Sequence, residues 1–387
     1  MSQAEVRITS RAIDRIAAGH PWIYRTDIKE AESIEAGSVV RLCDRRNHFW
    51  GQALYSSRSQ IALRLLTREE RPFGRDFLEE RILQAAAYRE RIARGVEAYR
   101  VVSSEGDQLP SLVIDRYGDC FAVQTLSQGM DRFKHDVVEI LAKRFQARAI
   151  VERNDVSVRA LEGLPEIKGM LLGEEPEVVA VENGVKFRFD LLRGQKTGGF
   201  LDQRENRAVA REYAHGRALD CFCYSGGFAL EIASKCGSVL AIDSSADALT
   251  GARENQNLNG IANVEWREAN CFDFFKSADH GGERFDTVVV DPPAFARSRS
   301  HQEAALRAYK ELNLRALKIL NSGGFLITCS CSYHVSEMDF LGALASAAMD
   351  AHRTVSVVER RTQARDHPIL LTVPETHYLK CFILRVA

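Results

Sequence analysis

The chain has 387 residues, too many for one ordinary hydrophobic core, and its 45% hydrophobic and 27% charged residues are typical of a globular protein with several domains. No stretch approaches the roughly 18 consecutive apolar residues of a membrane span, and the first residues lack the apolar segment of a signal peptide, so we expect a cytoplasmic protein with no membrane partner. The charge is nearly balanced, at 52 basic and 53 acidic residues, which excludes binding of nucleic acid by bulk attraction.

Residues 1–72 are predicted to form a small β-barrel. Three strand-like runs separated by turns indicate it: residues 38–43, 49–55 and 60–66. This end is the basic part of the chain, because residues 1–75 contain 13 Lys and Arg against 9 Asp and Glu, and we therefore expect it to contact phosphate groups. Trp22 and Tyr24 are interpreted as core aromatics of this small domain, the alternative being contact with RNA.

Residues 73–185 are predicted to form an α+β middle domain. A helix from about residue 74 to 95 opens it, and the shorter elements are strands at 112–115, 121–126 and 149–152 and a helix at 133–145. Two further strand-like runs, at 178–181 and 185–191, are joined by Asn183-Gly184. This pair of turn residues predicts a hairpin that leads into the next domain.

Residues 186–387 are predicted to form a Rossmann-like α/β domain that includes this entry hairpin. From residue 217, strands at 218–223, 239–242, 287–290 and 324–328 alternate with helices at 228–235, 246–258 and 302–320. This alternation is typical of a doubly wound parallel sheet. Two late apolar runs, at 354–358 and 378–386, are predicted to add an antiparallel pair, which gives a mixed sheet of seven strands.

A glycine-bearing turn, Gly226-Gly227, follows the first of these strands, and Asp243 ends the next. Glycines let a backbone approach a ligand, and a carboxylate at the second strand end suits a ribose diol. The spacing is not Gly-x-Gly-x-x-Gly, which disfavours a nicotinamide dinucleotide. A carboxylate at Asp220 beneath an amino-acid-like cofactor favours S-adenosylmethionine. The alternative is a plain βα turn, with Asp243 serving as a helix cap.

Asp291-Pro292-Pro293 ends another strand, and two cysteines, Cys329 and Cys331, end the one after it. Consecutive prolines fix a rigid loop at the edge where ligands bind in open α/β sheets, although they also simply terminate a strand. Asp291 is suited to accept a hydrogen bond from the exocyclic amine of a base. A thiolate at such an edge can attack carbon 6 of a pyrimidine and turn carbon 5 into a nucleophile for a methyl group.

The nine cysteines include no Cys-x-x-Cys pair, so we expect free thiols and no zinc ribbon. Metal binding through Cys221-x-Cys223 and Cys329-x-Cys331 is disfavoured because no histidine stands at ligand spacing.

Together these motifs resemble class I S-adenosylmethionine-dependent methyltransferases. More narrowly, nearly the whole chain resembles the bacterial large-subunit ribosomal RNA cytosine-C5 methyltransferases that carry an N-terminal PUA domain. The motifs behind this resemblance are Gly19-His20-Pro21-Trp22, residues 194–198, residues 200–204, residues 220–228, Asp291-Pro292-Pro293, Ser330-Cys331-Ser332, Asp366-His367-Pro368 and Tyr378-Leu379-Lys380. The resemblance implies a PUA domain, ribosomal RNA as substrate and S-adenosylmethionine as cofactor. A homodimer is among the assemblies that the sequence leaves open.

The resemblance also implies the site residues. Cys331 and Asp291 are the expected catalytic residues. The expected cofactor-binding residues are Phe200, Asp202, Arg204, Asp220, Tyr224, Ser225, Gly226, Gly227, Asp243, Asn270, Cys271 and Asp291. In related patterns the nucleophile lies seven residues past the second glycine of the preceding turn. Counting from Gly324 gives Cys331, while Cys329 also matches a Thr-Cys-Ser tripeptide but is interpreted as a packed small hydrophobe. Arg204 either orders the site or forms an ion pair with Asp202 or Glu205.

Three positions depart from the family pattern. Ala294 stands where related RNA enzymes carry a second cysteine that assists product release, so removal of the carbon 5 proton needs another base or water. Asn270 replaces an acidic residue near the adenine but keeps an oxygen that can accept a hydrogen bond. Gly199 stands where an aromatic residue is expected.

Two alternative functions remain open on sequence alone. The pattern Asp-Pro-Pro-x followed by an aromatic residue also resembles N-methyltransferases, which form no covalent adduct. A non-catalytic RNA-binding protein of the PUA type would use the first domain alone. The sequence does not identify the modified nucleotide, nor whether the substrate is naked RNA or a ribosomal particle.

Overall fold

The structure is a computed structural model that describes residues 4–31, 34–296 and 299–387. The described residues divide into two compact units. The first unit comprises Met1–Ala180, Phe189–Leu201 and Asp366–Thr376, and the second comprises Val181–Arg188, Asp202–Arg365 and His377–Ala387. Each unit is therefore assembled from three separate stretches of the chain. Within the described ranges, no helix is both long and apolar enough to cross a membrane.

The N-terminal part of the first unit is built on a sheet with six described strands. These are β1 (Glu5–Ile8), β2 (Trp22–Tyr24), β3 (Ile28–Ala31), β4 (Val39–Cys43), β5 (Phe49–Tyr55) and β6 (Ile61–Thr67), in the order β2-β6-β5-β4-β1-β3, with helix α1 (Ser10–Ala17) after β1. The three predicted strands are confirmed as β4, β5 and β6. The interpretation of Trp22 and Tyr24 as core aromatics is wrong. Both are partly exposed and Ile23 between them is buried, because side chains alternate between the faces of a strand.

The rest of the first unit is an α+β arrangement around a second sheet. Its described strands are β7 (Ala98–Ser103), β8 (Leu112–Tyr117), β9 (Cys120–Thr125), β10 (Ala149–Asn154) and β11 (Ile167–Leu172), in the order β11-β10-β9-β8-β7. The helices are α2 (Arg75–Ile92), α3 (Gln128–Arg132) and α4 (Lys134–Phe145). Apolar residues of α2 and α4 pack with this sheet in one core. The predicted elements are confirmed, and β7, β11 and α3 are additions to them.

A buried charged network in the first unit joins residues that are far apart in sequence. The guanidinium of Arg100 donates to both carboxylate oxygens of Asp115, at 2.8 and 2.9 Å, and Thr197 Oγ1 donates to Asp115 Oδ2 at 2.6 Å. The backbone N–H of Arg100 donates to Asp366 Oδ2 at 2.9 Å, and Arg89 donates to the Asp366 carbonyl at 2.8 Å. Two late stretches of the chain thus complete the polar core of this unit.

The predicted hairpin is present as β12 (Glu177–Glu182) and β13 (Val185–Asp190). Its two turn residues have positive φ, 50° at Asn183 and 90° at Gly184. Such a turn matches the twist of the two strands, which is why Asn-Gly is favoured there.

The second unit is built on the predicted mixed sheet of seven described strands. They are β14 (Arg217–Cys221), β15 (Ser238–Asp243), β16 (Val264–Glu268), β17 (Phe285–Val290), β18 (Leu320–Ser330), β19 (Val355–Arg361) and β20 (Lys380–Val386), in the order β16-β15-β14-β17-β18-β20-β19. The first five are parallel, and β20 pairs antiparallel with β18 and β19, as predicted.

The helices of the second unit are α5 (Arg204–Tyr213), α6 (Gly227–Ile232), α7 (Ala246–Asn259), α8 (Cys271–His280), α9 (Gln302–Ile319) and α10 (Glu337–Asp350). Helices α8, α9 and α10 share a core with the central strands. Because the carboxyl ends of parallel strands meet at one edge, the residues that follow β14, β15, β17 and β18 are brought close together there. This edge carries the motifs that the sequence singles out in this half of the chain.

Candidate active site

The turn after β14 is held in an unusual backbone conformation. Phe222, Tyr224 and Gly226 all have positive φ, at 63°, 49° and 86°. A Cβ at Gly226 would lie 2.5 Å from Cη2 of Trp266, so glycine is required for both conformation and space. The backbone N–H of Tyr224 donates to Asp243 Oδ2 at 2.9 Å, which fixes the turn against the end of β15. A strained, well-anchored turn at a strand edge is a common ligand-binding feature.

Asp220, near the end of β14, is buried and only partly satisfied. Its Oδ2 accepts the backbone N–H of Ala229 at 2.9 Å, whereas its buried Oδ1 has no hydrogen-bond partner among the described residues. Burial raises the pKa of Asp220 well above its usual value, and the nearby carboxylates of Asp291 and Asp243 raise it further. A buried carboxylate oxygen without a donor suits a cationic ligand group, such as the ammonium of an amino-acid-like cofactor.

Asp243 ends β15 and is partly exposed. Its Oδ1 accepts the backbone N–H of Ser245 at 2.9 Å, and its Oδ2 accepts that of Tyr224. Helix α7 is capped by Ser245, whose side chain accepts from Ala248, so Asp243 is not its capping residue. Each carboxylate oxygen can accept a second hydrogen bond, which leaves capacity for a diol.

The other turn residues line the same edge. The Ser225 carbonyl accepts from Asn255 Nδ2 at 3.0 Å, and a Cβ at Gly227 would lie 2.5 Å from a guanidinium nitrogen of Arg207. The turn is therefore packed from both sides.

Asn270 and Cys271 start helix α8. Asn270 is its cap, and its Oδ1 accepts the backbone N–H groups of Phe272 at 2.9 Å and Asp273 at 3.4 Å. Cys271 is buried in the core, and its thiol interacts with that of Cys221, whose pKa burial raises well above its usual value. The side chain of Cys271 therefore packs in the core. A ligand at the start of α8 would contact the backbone there.

Asp291 follows β17, and its carboxylate is held by Gln203, a residue to which the sequence assigned no role. Gln203 Nε2 donates to Asp291 Oδ1 at 2.9 Å, and the buried Asn206 donates to Gln203 Oε1 at 2.7 Å. This chain of amides sets the orientation of the carboxylate. Gln203 could have been found from the sequence, because it lies in the motif at residues 200–204.

The three residues of this motif that were expected to bind the cofactor lie in different units. Phe200 belongs to the first unit, where Lys196 Nζ lies 4.5 Å from the centre of its ring. Asp202 is buried in the second unit, and Tyr378 donates to its Oδ2 at 2.9 Å. Arg204 is buried too, with its guanidinium 3.7 Å from Glu205 Oε1. This distance supports the ion-pair interpretation of Arg204.

The two candidate cysteines differ in their surroundings. Cys329 lies inside β18, fully buried, directly opposite Cys381 of β20. Burial, with the neighbouring Cys381 thiol, raises the pKa of Cys329 well above its usual value. Cys331 lies just past the end of β18 and, unlike the other eight cysteines, is partly exposed. A reactive cysteine has to be accessible and ionisable, so the structure favours Cys331.

Ser332 links the cysteine segment to the Asp-Pro-Pro loop. It is fully buried, and its Oγ accepts the backbone N–H groups of Phe295 at 3.1 Å and Ala296 at 3.2 Å. The same oxygen lies 2.9 Å from the hydroxyl of Tyr309 on α9. With two accepted bonds, Ser332 is left to donate to Tyr309, so all its bonding capacity is used to hold the two loops together.

Among the described residues, no three His, Cys, Asp or Glu side chains are grouped so that they could hold a metal ion.

Two family models match the chain. Residues 6–68 match a PUA-like domain, and residues 164–385 match an S-adenosylmethionine-dependent methyltransferase. Among curated proteins, Ribosomal RNA large subunit methyltransferase I of Shewanella denitrificans is 40% identical over 379 residues, which cover 95% of each chain. The protein of the same name from Photobacterium profundum is 40% identical over 374 residues, 94% of each chain.

Solved structures with low sequence identity share the fold. One described as a SAM-dependent methyltransferase from Streptococcus mutans is 19% identical, with a TM-score of 0.81 over 99% of this chain and 100% of that one. Another, the methyltransferase SMU.776 in complex with SAH, is 20% identical, with a TM-score of 0.83 over the full length of both chains. The fold, the orphaned carboxylate oxygen of Asp220 and the family match agree with S-adenosylmethionine as cofactor. The chain therefore belongs to the family of S-adenosylmethionine-dependent methyltransferases that includes these relatives, and it carries a PUA-like domain at its N-terminal end.

Proposed function

We propose that this protein forms 5-methylcytosine in large-subunit ribosomal RNA, in the cytoplasm, and that it does so through a covalent adduct between Cys331 and carbon 6 of the base. The names of the relatives at 40% identity support the RNA substrate, and the PUA-like domain supports RNA binding. We further propose the domain boundaries 1–72, 73–185 and 186–387 for the PUA-like, middle and catalytic parts.

The observation that carries the chemistry is the contrast between the two cysteines. Cys331 is partly exposed beyond the end of β18, at the edge where Asp220, Asp243 and Asp291 gather. Cys329 is buried beside Cys381, where a thiolate is strongly disfavoured. An N-methyltransferase needs neither thiol, whereas cytosine-C5 chemistry needs a reactive one at this edge.

The second unit has residues for each part of the cofactor. Asp220 Oδ1 is proposed to accept a hydrogen bond from the ammonium of the cofactor, and Asp243 to accept hydrogen bonds from its ribose hydroxyls. The start of α8, at Asn270 and Cys271, is proposed to contact the adenine. The backbone of Tyr224, Ser225, Gly226 and Gly227 would line the path between these groups, and Asp202 and Arg204 would support the site. When bound, the cofactor would supply a methyl group carried by a sulfonium sulfur. The electron pair of the sulfur–carbon bond stays on the sulfur when the methyl group is transferred.

In the proposed reaction the target cytosine is first swung out of its stack, because carbons 5 and 6 cannot be reached inside a helix. The thiolate of Cys331 forms a bond to carbon 6, and the electron pair of the carbon 5–carbon 6 double bond moves to carbon 5. Carbon 5 forms the new bond to the methyl carbon, while Asp291 accepts a hydrogen bond from the exocyclic amine.

The adduct then resolves. A base removes the proton from carbon 5, its electron pair restores the double bond, and Cys331 leaves as thiolate. Ala294 is exposed in the loop where related enzymes carry a cysteine, so no thiol at that position assists this step. Water or a group of the RNA is the proposed proton acceptor.

The test is methyl transfer from labelled S-adenosylmethionine to unmethylated bacterial ribosomal RNA, with nucleoside analysis of the product. The native chain is compared with Cys331→Ala and with Cys329→Ala as the matched control. We expect 5-methylcytosine from the native chain and from Cys329→Ala, and none from Cys331→Ala. Label on a nitrogen, with both variants active, would replace the proposal with the N-methyltransferase alternative. RNA binding without any methyl transfer would leave only the non-catalytic alternative.

A further inference from the structure

A lysine next to the proposed nucleophile has surroundings that packing alone does not explain. Lys380 is the first residue of β20, its Cα lies opposite that of Ser330 in β18, and only 3% of it is exposed. Lysines are almost never buried to this degree unless they are paired, because the ammonium loses its hydration. Lys380 is therefore a cation that needs compensation inside the protein.

The hydrogen bonds of Lys380 tie it to the cysteine segment. Its Nζ donates to the carbonyl of Ser332 at 2.7 Å and to the carbonyl of Tyr378 at 2.9 Å. Both acceptors are neutral, and they use two of the three N–H groups of an ammonium. Since Ser332 directly follows Cys331, the charge is held next to the peptide that carries the thiol. The carbonyls orient the ammonium without neutralising it.

Two acidic groups supply the electrostatic compensation. Burial lowers the pKa of Lys380 to about 8, and Cys331 and Glu337 act in the opposite direction, favouring the charged form. Glu337 lies in the first turn of α10 and is also 3.6 Å from the exposed Arg360. From α9, Tyr309 faces the same region. Burial raises the pKa of Tyr309, and Cys331 and Asp291 add to the effect.

The interaction between two titrating groups is one free energy that acts equally on both. If the Cys331 thiolate favours the ammonium of Lys380, the ammonium favours the thiolate to the same extent. Cys331 and Asp291 both raise the pKa of Tyr309, so the carboxylate and the thiol act on the same region. Like charges disfavour each other, so a fixed cation in that region helps the thiol to ionise.

We propose that Lys380 is a positioning residue for the reaction, a buried counter-charge that holds Cys331 as a thiolate ready to attack the base. This inference rests on the proposed function of Cys331 and adds the group that makes that function possible at neutral pH. The backbone carbonyls of Ser332 and Tyr378 keep the ammonium in place. Unlike a free lysine, it cannot swing away into solvent.

The test measures the thiolate directly, without RNA or cofactor. The full-length protein is treated with iodoacetamide between pH 6 and 10, and alkylation of the peptide containing Cys331 is followed by mass spectrometry. Native protein is compared with Lys380→Met and Lys380→Arg, and with Lys310→Met as the matched control, because Lys310 pairs with Asp350 at 2.7 Å on the outside of α9. Circular dichroism and thermal melting establish that each variant is folded.

At pH 7.5 we expect Lys380→Met to slow alkylation of Cys331 about tenfold. The rates should converge near pH 10, because Lys380, whose pKa burial lowers to about 8, has lost its charge there. Lys380→Arg should keep most of the native rate, and Lys310→Met all of it. A purely structural role for Lys380 would instead change the rate by the same factor at every pH, and that result would overturn the inference. The native protein gives an independent check if Lys380→Met does not fold. A Cys331 alkylation midpoint at or above the ordinary thiol value of about 8.5 contradicts the inference as well.

Methyl transfer by the same variants separates this inference from the proposed function. If Cys331→Ala is inactive but alkylation does not respond to Lys380, only the role of Lys380 is wrong. If Cys331→Ala is active, the proposed function is wrong, and with it the catalytic meaning of the ion pair, whatever the alkylation rates show.

Discussion

The Ser332 hydroxyl accepts the backbone N–H of Phe295 at 3.1 Å, which joins the loop of Asp291 to the segment of Cys331. The two proposed catalytic side chains come from different strands, β17 and β18, and each lies on a short loop beyond its strand. One buried oxygen, supported by Tyr309, connects those loops. The spacing between Asp291 and Cys331 therefore depends on a residue that need not touch the substrate.

We predict that Ser332→Ala lowers the turnover rate at least tenfold and leaves cofactor affinity nearly unchanged. The substitution leaves the N–H groups of Phe295 and the buried Ala296 without an acceptor, which should also reduce the free energy of unfolding by about 1–3 kcal/mol. Tyr309→Phe is the control, since it removes one bond to Ser332 and keeps both N–H acceptor contacts. Equal losses of turnover in the two variants would show that the N–H contacts are not what matters.

Asp220→Asn is predicted to weaken S-adenosylmethionine binding and to stabilise the cofactor-free protein at alkaline pH. Losing a charge-assisted bond to the cofactor should reduce affinity about tenfold to a hundredfold, as measured by calorimetry. Burial raises the pKa of Asp220, so the native state holds its proton more tightly than the unfolded chain, and native stability falls as pH rises through the folded pKa. The variant escapes this loss.

The control for Asp220 is Asp247→Asn, at an exposed position in the first turn of α7. It should change neither the affinity nor the pH dependence of unfolding. Unchanged cofactor affinity in Asp220→Asn would contradict the role given to its Oδ1.

Glu231 on α6 is predicted to make stability depend on pH near neutrality. It is buried and contacts Asn183 at 3.0 Å and Arg211 at 3.3 Å. Burial raises the pKa of Glu231 from 4.5 to about 7, although Asn183, Arg207 and Arg211 oppose the shift. Because the folded pKa is the higher one, the stabilising contribution is complete below about pH 4.5 and is lost as pH rises through 7.

Denaturant unfolding at pH 5 and pH 8 should therefore show a loss of about 2 kcal/mol in the native protein that Glu231→Gln largely removes. The exposed Glu254 offers a control, Glu254→Gln, which should behave like the native protein. A difference between native and Glu231→Gln that is the same at both pH values would refute the prediction.

Gly226→Ala is predicted to destabilise the second unit more than Gly260→Ala does. Both glycines have positive φ, 86° and 62°, but a Cβ at Gly226 meets the Trp266 ring at 2.5 Å, while nothing lies within 4 Å of one at Gly260. We expect a cost of about 1 kcal/mol for Gly260→Ala and about 2–4 kcal/mol for Gly226→Ala, with loss of cofactor binding only in the latter. Thermal melting and calorimetry measure both. Similar losses of stability in the two variants would mean that the positive φ alone, and not the contact with Trp266, determines the effect.

Much of the fold follows from local sequence patterns. The Asn183-Gly184 turn, the alternation of strands and helices after residue 217 and the final antiparallel pair depend on turn chemistry and periodicity, and they are confirmed. Other elements were not predicted, because their local patterns are weaker and they are stabilised by packing within the folded units. They are strands β1, β2, β3, β7, β11 and β16 and helices α1, α3, α5, α8 and α10.

The site residues were harder to predict for a physical reason. A motif identifies which residues lie near an edge, but not which face a side chain takes. Cys271 was expected beside the cofactor, yet its thiol is in the core, and Trp22 was expected in the core but is partly exposed. Gln203, Ser332 and Lys380 all stand in motifs noticed in the sequence. Their roles depend on partners 37 to 88 residues away, at Asp291, Phe295 and Cys331, and only folding brings these together.

The three-part composition of the first unit also bears on how the protein is made. When residue 180 has been synthesised, Arg100 already has Asp115, but Thr197 and Asp366, which complete the buried network, have not yet been translated. Burying a charge without its full set of partners costs free energy. The first unit therefore cannot complete its folding before its later stretches have been synthesised. Its last stretch, Asp366–Thr376, is translated only after most of the second unit. A chain cut short before that point would lack part of the interior of its own first half.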